Sequence, residues 1–475
     1  VADLPDHLPQ MIPSAMATER AFRGTFLHAP QRGRLECLRD ALIVVAADGA
    51  ISAVHPGESA AAASEAGRFA AAGSLVRLGM KHYVLPGMVD LHVHAPQWPQ
   101  LGEALELPLQ EWLQKFTFPL ESRYADTTFA RQVYESLVSN LLANGTTTAM
   151  YFGTLHLEAT KALADICLRR SQRALIGRVT MDNPEQCPAF YRDGSTQIAE
   201  RETREFISYV QALPGGQGLV FPVITPRFIP SCTDDLLSRL GRLVRETGCH
   251  VQTHCSESDW QHQYVLQRCG RTDTAALESF GLLSRRTVLA HGNFVDDADA
   301  AIICEHGAGI AHCPLSNVYF SDAVFPLRRI LDAGVQVGLG TDIAGGASPS
   351  VLENARHAVI SSRLLEAGVN PRLNRSQRRL PDSRIDALTA FWLATRGGGI
   401  ALDLPVGLFA PGYQFDACVL DAAAPGSNLQ VADDDPPETV LQKVIYGAAR
   451  ANISQVWVAN RQVAGARQSG HTSAA

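Results

Sequence analysis

Lysine is almost missing from this 475-residue chain: of 41 basic residues only Lys81, Lys115, Lys161 and Lys443 are lysines. Long apolar runs are missing too. The longest are strand-sized and broken by Gly, Pro or a charge, whereas a membrane helix needs about 20 consecutive apolar residues, so no membrane partner is expected. A formal charge of -7 leaves no basic footprint for nucleic acid. The ten cysteines include no C-x-x-C pair and most stand in apolar surroundings, which points to buried free thiols in a reducing compartment rather than to bridges. The opening Val1-Ala-Asp-Leu-Pro-Asp has no basic region leading into an apolar one, so no secretory leader is expected and a cytoplasmic location is. No Gly-rich phosphate fingerprint follows any strand-like run, which argues against an open, doubly wound sheet.

What is present is an alternation. Strand-like apolar runs begin with Val84-Leu-Pro-Gly-Met-Val-Asp-Leu-His-Val-His-Ala-Pro-Gln97 and recur at residues 146–152, 174–181, 219–225, 249–254, 287–291, 308–313 and 335–342. Amphipathic helical stretches fit the gaps, for example residues 128–142 and 233–246. Eight such strands alternating with helices, over somewhat more than the ~250 residues typical of the fold, predict an α/β protein with a (β/α)8 barrel. On either side the pattern changes. Residues 41–47, the turn Asp48-Gly49 and residues 51–54 read as a strand pair, and residues 57–73 as a short helix or mobile loop. Residues 415–420, 440–446 and 454–459 alternate as strands do, the last leading into a hairpin turn at Ala459-Asn460. The two chain ends are therefore expected to pair as a small β-sandwich domain, residues 1–83 with residues 401–475, around a catalytic barrel at residues 84–400.

In such a barrel the chemistry sits where strands end at the C-terminal face. His92 and His94 end the first run, His254 the fifth, His291 the sixth and Asp342 the eighth. A lone H-x-H pair is more often two ordinary polar residues. Five potential metal ligands at the ends of four runs are a different matter, because strands of a closed barrel converge over its axis. His, His, His and Asp suit a divalent transition metal, zinc first and iron(II) second, with a position left for water. Such binding lowers the pKa of water to about 7. A bridging modified lysine, the mark of many two-metal barrels, would end the fourth strand. That strand ends Thr225-Pro-Arg-Phe228 with no lysine nearby, so one metal is expected. Glu257, three residues after His254, is placed to carry protons between water and substrate, the bland alternative being a helix-capping glutamate. Asp342 can also take the water proton, and His291 can orient the water and offset charge on a tetrahedral intermediate.

These residues resemble the metal-dependent amidohydrolase superfamily and, within it, its guanine-deaminating branch. The resemblance runs through Phe22-Arg-Gly-Thr-Phe, the Pro86 to Gln97 segment, Leu107-Pro-Leu-Gln-Glu-Trp-Leu-Gln-Lys-Phe-Thr-Phe-Pro119, the Asn144 to His156 segment, Thr225-Pro-Arg-Phe228, His254-Cys-Ser-Glu257, Ala311-His-Cys-Pro-Leu-Ser-Asn317 and Gly338-Leu-Gly-Thr-Asp-Ile-Ala-Gly-Gly346. It implies hydrolytic deamination of guanine to xanthine and ammonia in purine catabolism, by a homodimer holding one zinc ion per subunit. It also implies that His92, His94, His254 and Asp342 hold the metal and that Glu257 is the proton shuttle. Gln97, Arg227 and Phe228 would line the base pocket, with His94, His254, Glu257 and Asp342 bordering the same substrate. Arg supplies a rigid fork of donors for a purine carbonyl, Gln both donor and acceptor, and Phe a stacking face. The alternatives for Arg227 and Phe228 are a structural ion pair and plain core. Two segments depart from the family pattern: Asp182 and Asn183 are adjacent where a spacer is usual, and Gly447-Ala-Ala-Arg450 replaces a Gly-Asp-Asp-Arg segment. The rival readings are an amidohydrolase acting on a pterin, an oxidised guanine or a triazine, and a non-catalytic scaffold that kept the barrel.

Overall fold

The computed structural model describes residues 18–321 and 323–465. The leader reading at Val1-Ala-Asp-Leu-Pro-Asp lies outside the described residues. Among those residues, no helix is long and apolar enough to cross a membrane.

Five strands precede the barrel: β1 (Arg20–Gln31), β2 (Arg34–Val45), β3 (Ile51–His55), β4 (Leu75–Arg77) and β5 (His82–Pro86). The barrel strands are β6 (Met88–His94), β7 (Thr146–Phe152), β8 (Arg173–Thr180), β9 (Val220–Pro226), β10 (His250–Cys255), β11 (Thr287–His291), β12 (Gly309–His312) and β13 (Gln336–Leu339). After them come β14 (Ala417–Asp421), β15 (Ile453–Val458) and β16 (Arg461–Gly465). Strands β6 to β13 pair in sequence order, all parallel. The ring closes through the segment after β13, where Asp342 N donates to His92 O (2.8 Å) and His94 N to Ile343 O (2.9 Å). Every residue of β6, β7, β8, β10, β11 and β12 is buried, which is why these strands read as unbroken apolar runs rather than alternating ones.

The surrounding helices follow from period and caps. Asp234–Thr247 buries Leu236, Leu237, Leu240, Leu243 and Val244, a 3.6-residue stripe. It starts at Thr233, whose hydroxyl accepts from Leu236 N, and stops at Gly248 with φ 63°. Inside the ring, Val89, Leu91, Met150, Leu175, Val223 and Val288 pack together with Leu402 and Val406. The interior is thus filled, and chemistry is confined to the end where the strands' C-termini meet.

The chain ends form one eight-stranded mixed sheet, ordered β16-β15-β14-β5-β1-β2-β3 with β4 beside β1. Phe22 on β1 lies 4.9 Å from Trp457 on β15 and 4.1 Å from Phe415. Rings that far apart in the hydrogen-bonded order meet only if the sheet curls over its own core, giving a sandwich made from a single ladder. Arg173 of β8 holds Asp416, just before β14, through bonds of 3.0 and 3.2 Å, both side chains being buried.

Three readings of the sequence change. The run at residues 84–93 is not one strand: it divides at Gly87 into β5 of the terminal sheet and β6 of the barrel. A Cβ at Gly87 would collide with the Thr147 side chain, so the crossing needs glycine. Residues 440–446 are not a strand but part of the helix Pro437–Gly447, because Val440, Leu441, Val444 and Ile445 recur at helical spacing and form its buried face. Asp342 does not end the eighth strand but stands three residues past Leu339. The open reading of residues 57–73 resolves as the helix Ala60–Ala71, capped by Ser59.

His250, at the start of β10, is buried and pairs through Nε2 with the Leu402 carbonyl at 2.8 Å. Burial lowers its pKa to about 4 from the ordinary 6.5. The folded protein therefore keeps it neutral while the unfolded chain takes up a proton first, so stability falls as pH drops from about 6.5 to 4, by about 3 kcal/mol in all. His250→Gln, which retains a donor for Leu402, is expected to flatten that acid limb. Thermal denaturation of both proteins at pH 7 and at about pH 4.5 measures it; an unchanged difference between the two pH values would reject it.

Candidate active site

Two glycine-dependent features prepare the site. A Cβ at Gly340 would stand 2.8 Å from His92 Cβ, so only glycine lets the β13 exit pass the first strand closely enough to close the ring. Beyond it Asp342 adopts φ 50°, as His291 adopts φ 75°, left-handed conformations that non-glycine residues rarely take.

The strand ends then converge. His92 Nε2 is 3.1 Å and His94 Nε2 3.4 Å from Asp342 Oδ1, and the Nε2 atoms of His94 and His254 are 3.0 Å apart. His291 Nε2 lies 3.6 Å from Glu257 Oε1 and 3.8 Å from Asp342 Oδ2. Donors bound to one zinc ion at about 2.0–2.1 Å necessarily stand roughly 3 Å from one another, which is the spacing found between His92 and Asp342, His94 and Asp342, and His94 and His254. Among the described residues, nothing makes a well-directed hydrogen bond to the buried Nε2 atoms of His92 and His291. The residues present therefore fit a divalent cation.

Neighbours fix the ligand atoms. His254 Nδ1 donates to the Arg227 carbonyl at 2.6 Å, and His291 Nδ1 to the Asn317 side-chain oxygen at 2.9 Å, so both rings aim Nε2 at the centre. Burial lowers the pKa values of His92, His94 and His254, keeping them in the neutral form that binds metal. Burial alone would raise Asp342, but the His92, His291 and His94 rings hold its carboxyl well below the usual carboxylate range. Beneath them Asp90 accepts from Thr341 N (2.9 Å), Thr341 Oγ1 (2.6 Å) and His92 N (3.3 Å), and burial lifts it to about 7. Asp90 thereby ties the first strand to the segment that carries Asp342.

A cavity opens above the centre. His94, Gln97, Arg227, Phe228, His254, Glu257 and Asp342 all line it, while His92 and His291 sit buried at the centre itself. Glu257 is not a helix cap: Ser258 caps the next helix, whose first residue is Asp259. Burial raises the Glu257 carboxyl to about 7. Arg227 does form a buried ion pair, donating through Nη1 and Nη2 to Glu121 at 2.7 and 3.1 Å, so the structural role considered for it coexists with its place in the cavity wall. The four lysines form surface ion pairs, such as Lys115 with Glu111 and Lys161 with Glu205, and none lines the cavity.

Sequence reasoning missed several residues here. Asp90 was detectable, since it precedes His92 by two on the same strand. Trp112 and Phe320, whose rings approach to 4.8 Å on the cavity wall, lie in or beside quoted motifs but carry no polar signal. Glu121 and Tyr191 had none at all. Of the two departures from the family pattern, Asp182 accepts from Thr233 N and Oγ1 (2.7 and 2.8 Å), and Asn183 donates to the Pro230 carbonyl (2.7 Å). Both brace the loop that follows Phe228 without lining the cavity. At the other, Arg356 grips the Ala448 carbonyl and Arg450 donates to Asn140 at 2.9 Å, remote from the cavity.

A closed parallel barrel with a His/Asp centre at its C-terminal mouth defines a class of hydrolytic enzymes, and residues 83–464 match the amidohydrolase family. The chain belongs to that family. It is similar to the guanine deaminase of Mus musculus, 36% identical over 93% of this chain and 96% of that protein, and to a probable guanine deaminase of Schizosaccharomyces pombe, 36% identical over 94% and 83%. Among solved structures it resembles the guanine deaminase of C. acetobutylicum with guanine bound in the active site, with TM-score 0.83 and 27% identity over 94% of this chain and 100% of that one.

Proposed function

We propose that the protein hydrolyses guanine and water to xanthine and ammonia, in purine catabolism, at the centre described above. The observation that carries the reading is the meeting in one cavity of a neutral-histidine and aspartate centre, a buried carboxyl beside it, and an arginine fork and an amide in the same lining. His92, His94, His254 and Asp342 are the proposed holders of one zinc ion, with iron(II) the alternative. A divalent ion held there lowers the pKa of water to about 7 and so supplies a nucleophile at neutral pH.

The chain's own residues do the rest. Arg227 and Gln97 bind the carbonyl edge of the base and Phe228 covers its ring, which turns the carbon bearing the exocyclic amine toward the centre. Glu257 takes a proton from water and delivers it to the neighbouring ring nitrogen. A C–O bond forms, and Glu257 then takes the proton of the newly attached hydroxyl and passes it to the departing amine, so that the carbonyl forms, the C–N bond breaks and ammonia leaves. Asp342 can share the first proton, and His291 holds the water in line and offsets charge on the tetrahedral carbon's oxygen. A homodimer and a cytoplasmic location complete the proposal. Ile360 and Leu364, one turn apart on the helix Val351–Ala367, are exposed apolar side chains, and all ten cysteines are free thiols.

The test is ammonia release by metal-replete protein from guanine set beside a pterin, 8-oxoguanine and a triazine. Guanine is expected to be turned over fastest, and its inertness beside an active pterin would sink the assignment while sparing the class.

A further inference from the structure

We infer that Glu121, which touches neither the metal centre nor the cavity, is the positioning residue that turns N–H donors of Gln97 and Arg227 toward the ligand and so selects a purine with a carbonyl, not an amine, at its six-position. The inference rests on the functional reading above for the orientation of the base.

Glu121 lies on the short helix Phe118–Ser122 and is completely buried. Its carboxylate accepts four hydrogen bonds. Gln97 Nε2 (2.9 Å) and Arg227 Nη2 (3.1 Å) reach Oε1, while Arg227 Nη1 (2.7 Å) and Tyr191 Oη (2.6 Å) reach Oε2. It thus ties together loops that follow the first, third and fourth barrel strands. The Arg227 fork is held bidentately, in one plane, and stands 5.2 Å from the Phe118 ring.

The consequence for Gln97 is chemical. An amide can point either end at a neighbour, but only its NH2 end is tolerated against a carboxylate. Glu121 thereby fixes the flip, and the other end agrees, since Gln97 Oε1 accepts from Ala344 N at 3.2 Å. What Gln97 and Arg227 have left for a ligand at this wall is mainly N–H, with one lone pair of Gln97 Oε1 besides. A carbonyl oxygen satisfies those groups. An amine at the same place leaves buried donors facing donors, a loss of about 1–3 kcal/mol per unpaired group. With glutamine at position 121 the carboxylate's hold on Gln97 is lost, only the 3.2 Å bond from Ala344 N then restrains the amide, and Arg227 loses its fixed plane.

The experiment uses the metal-loaded protein and two purines that lack the reactive amine at the two-position, hypoxanthine and adenine, which differ at the six-position edge. Calorimetric binding is expected to favour hypoxanthine by about a hundredfold in the wild type and by less than about tenfold in Glu121→Gln. With guanine as substrate, the same variant is expected to raise KM about tenfold while kcat changes less than about threefold and metal content stays constant, a split that general loosening of the fold would not give. Tyr191→Phe removes one of the four donors without stranding a charge and is expected to weaken hypoxanthine binding about threefold. It serves if Glu121→Gln fails to fold. A wild type without preference, or variants that keep the full preference, would overturn the inference. Failure of the wild type to release ammonia from guanine would instead strike the functional reading, and the binding comparison would still decide the role of Glu121.

Discussion

Glu257→Gln is expected to leave the metal bound and to lower kcat for guanine by about 10²–10⁴-fold, the usual range for loss of a general acid–base group. The substitution keeps the shape of a side chain that is buried beside the centre, 3.6 Å from His291. It removes only the capacity to accept and return a proton. Metal content by elemental analysis should match the wild type because His92, His94, His254 and Asp342 remain in place. KM should change little, since Gln97, Arg227 and Phe228 still hold the base. Near-normal turnover would exclude Glu257 as the shuttle. Loss of metal together with activity would show that it acts as a ligand instead.

Arg227→Met should damage folding and binding together. The guanidinium and the Glu121 carboxylate are both buried, and together they form a bidentate pair. Removing one member of a buried pair leaves the other uncompensated, at a cost of about 3–5 kcal/mol. Tyr191 and Gln97 still donate to Glu121 but supply no charge. A large fall in thermal midpoint at a fixed scan rate is expected, with guanine kcat/KM falling further than the fraction of folded protein explains. Arg227→Lys keeps the charge and loses the fork, and should recover much of the stability but little of the substrate affinity. If Arg227→Met melts like the wild type, the pair contributes nothing net.

How far these residues could be read in advance depended on whether their chemistry leaves a local trace. His92, His94, His254 and His291 announced themselves because each sits at or next to the end of an apolar run, where a polar ring must have a purpose. Glu257 stood out by its three-residue offset from His254. Glu121 left no such trace: it is one acidic residue on a short helix, and its importance comes from partners 24, 70 and 106 residues away in sequence. The same limit explains the misread elements. The apolar content of residues 440–446 was correct, but the face it packs on is set by its neighbours in the fold. Pro86-Gly87 is a breaker by composition, but that glycine is required there follows only from the Thr147 side chain packed against it.

Taken alone, the sequence determined the eight buried parallel strands, a small β domain made from both chain ends, and the residue types gathered at the barrel mouth. Those follow from burial and period, which are properties of neighbouring residues along the chain. The tertiary structure alone decided that Asp342 reaches the centre from beyond its strand, that Asp90 ties the first strand to the last, and that Arg227 is held by Glu121 while still facing the cavity. The physical reason is that buried charges and hydrogen bonds must be satisfied in three dimensions, by whichever groups the closed ring brings within about 3 Å, and no spacing along the chain records that distance.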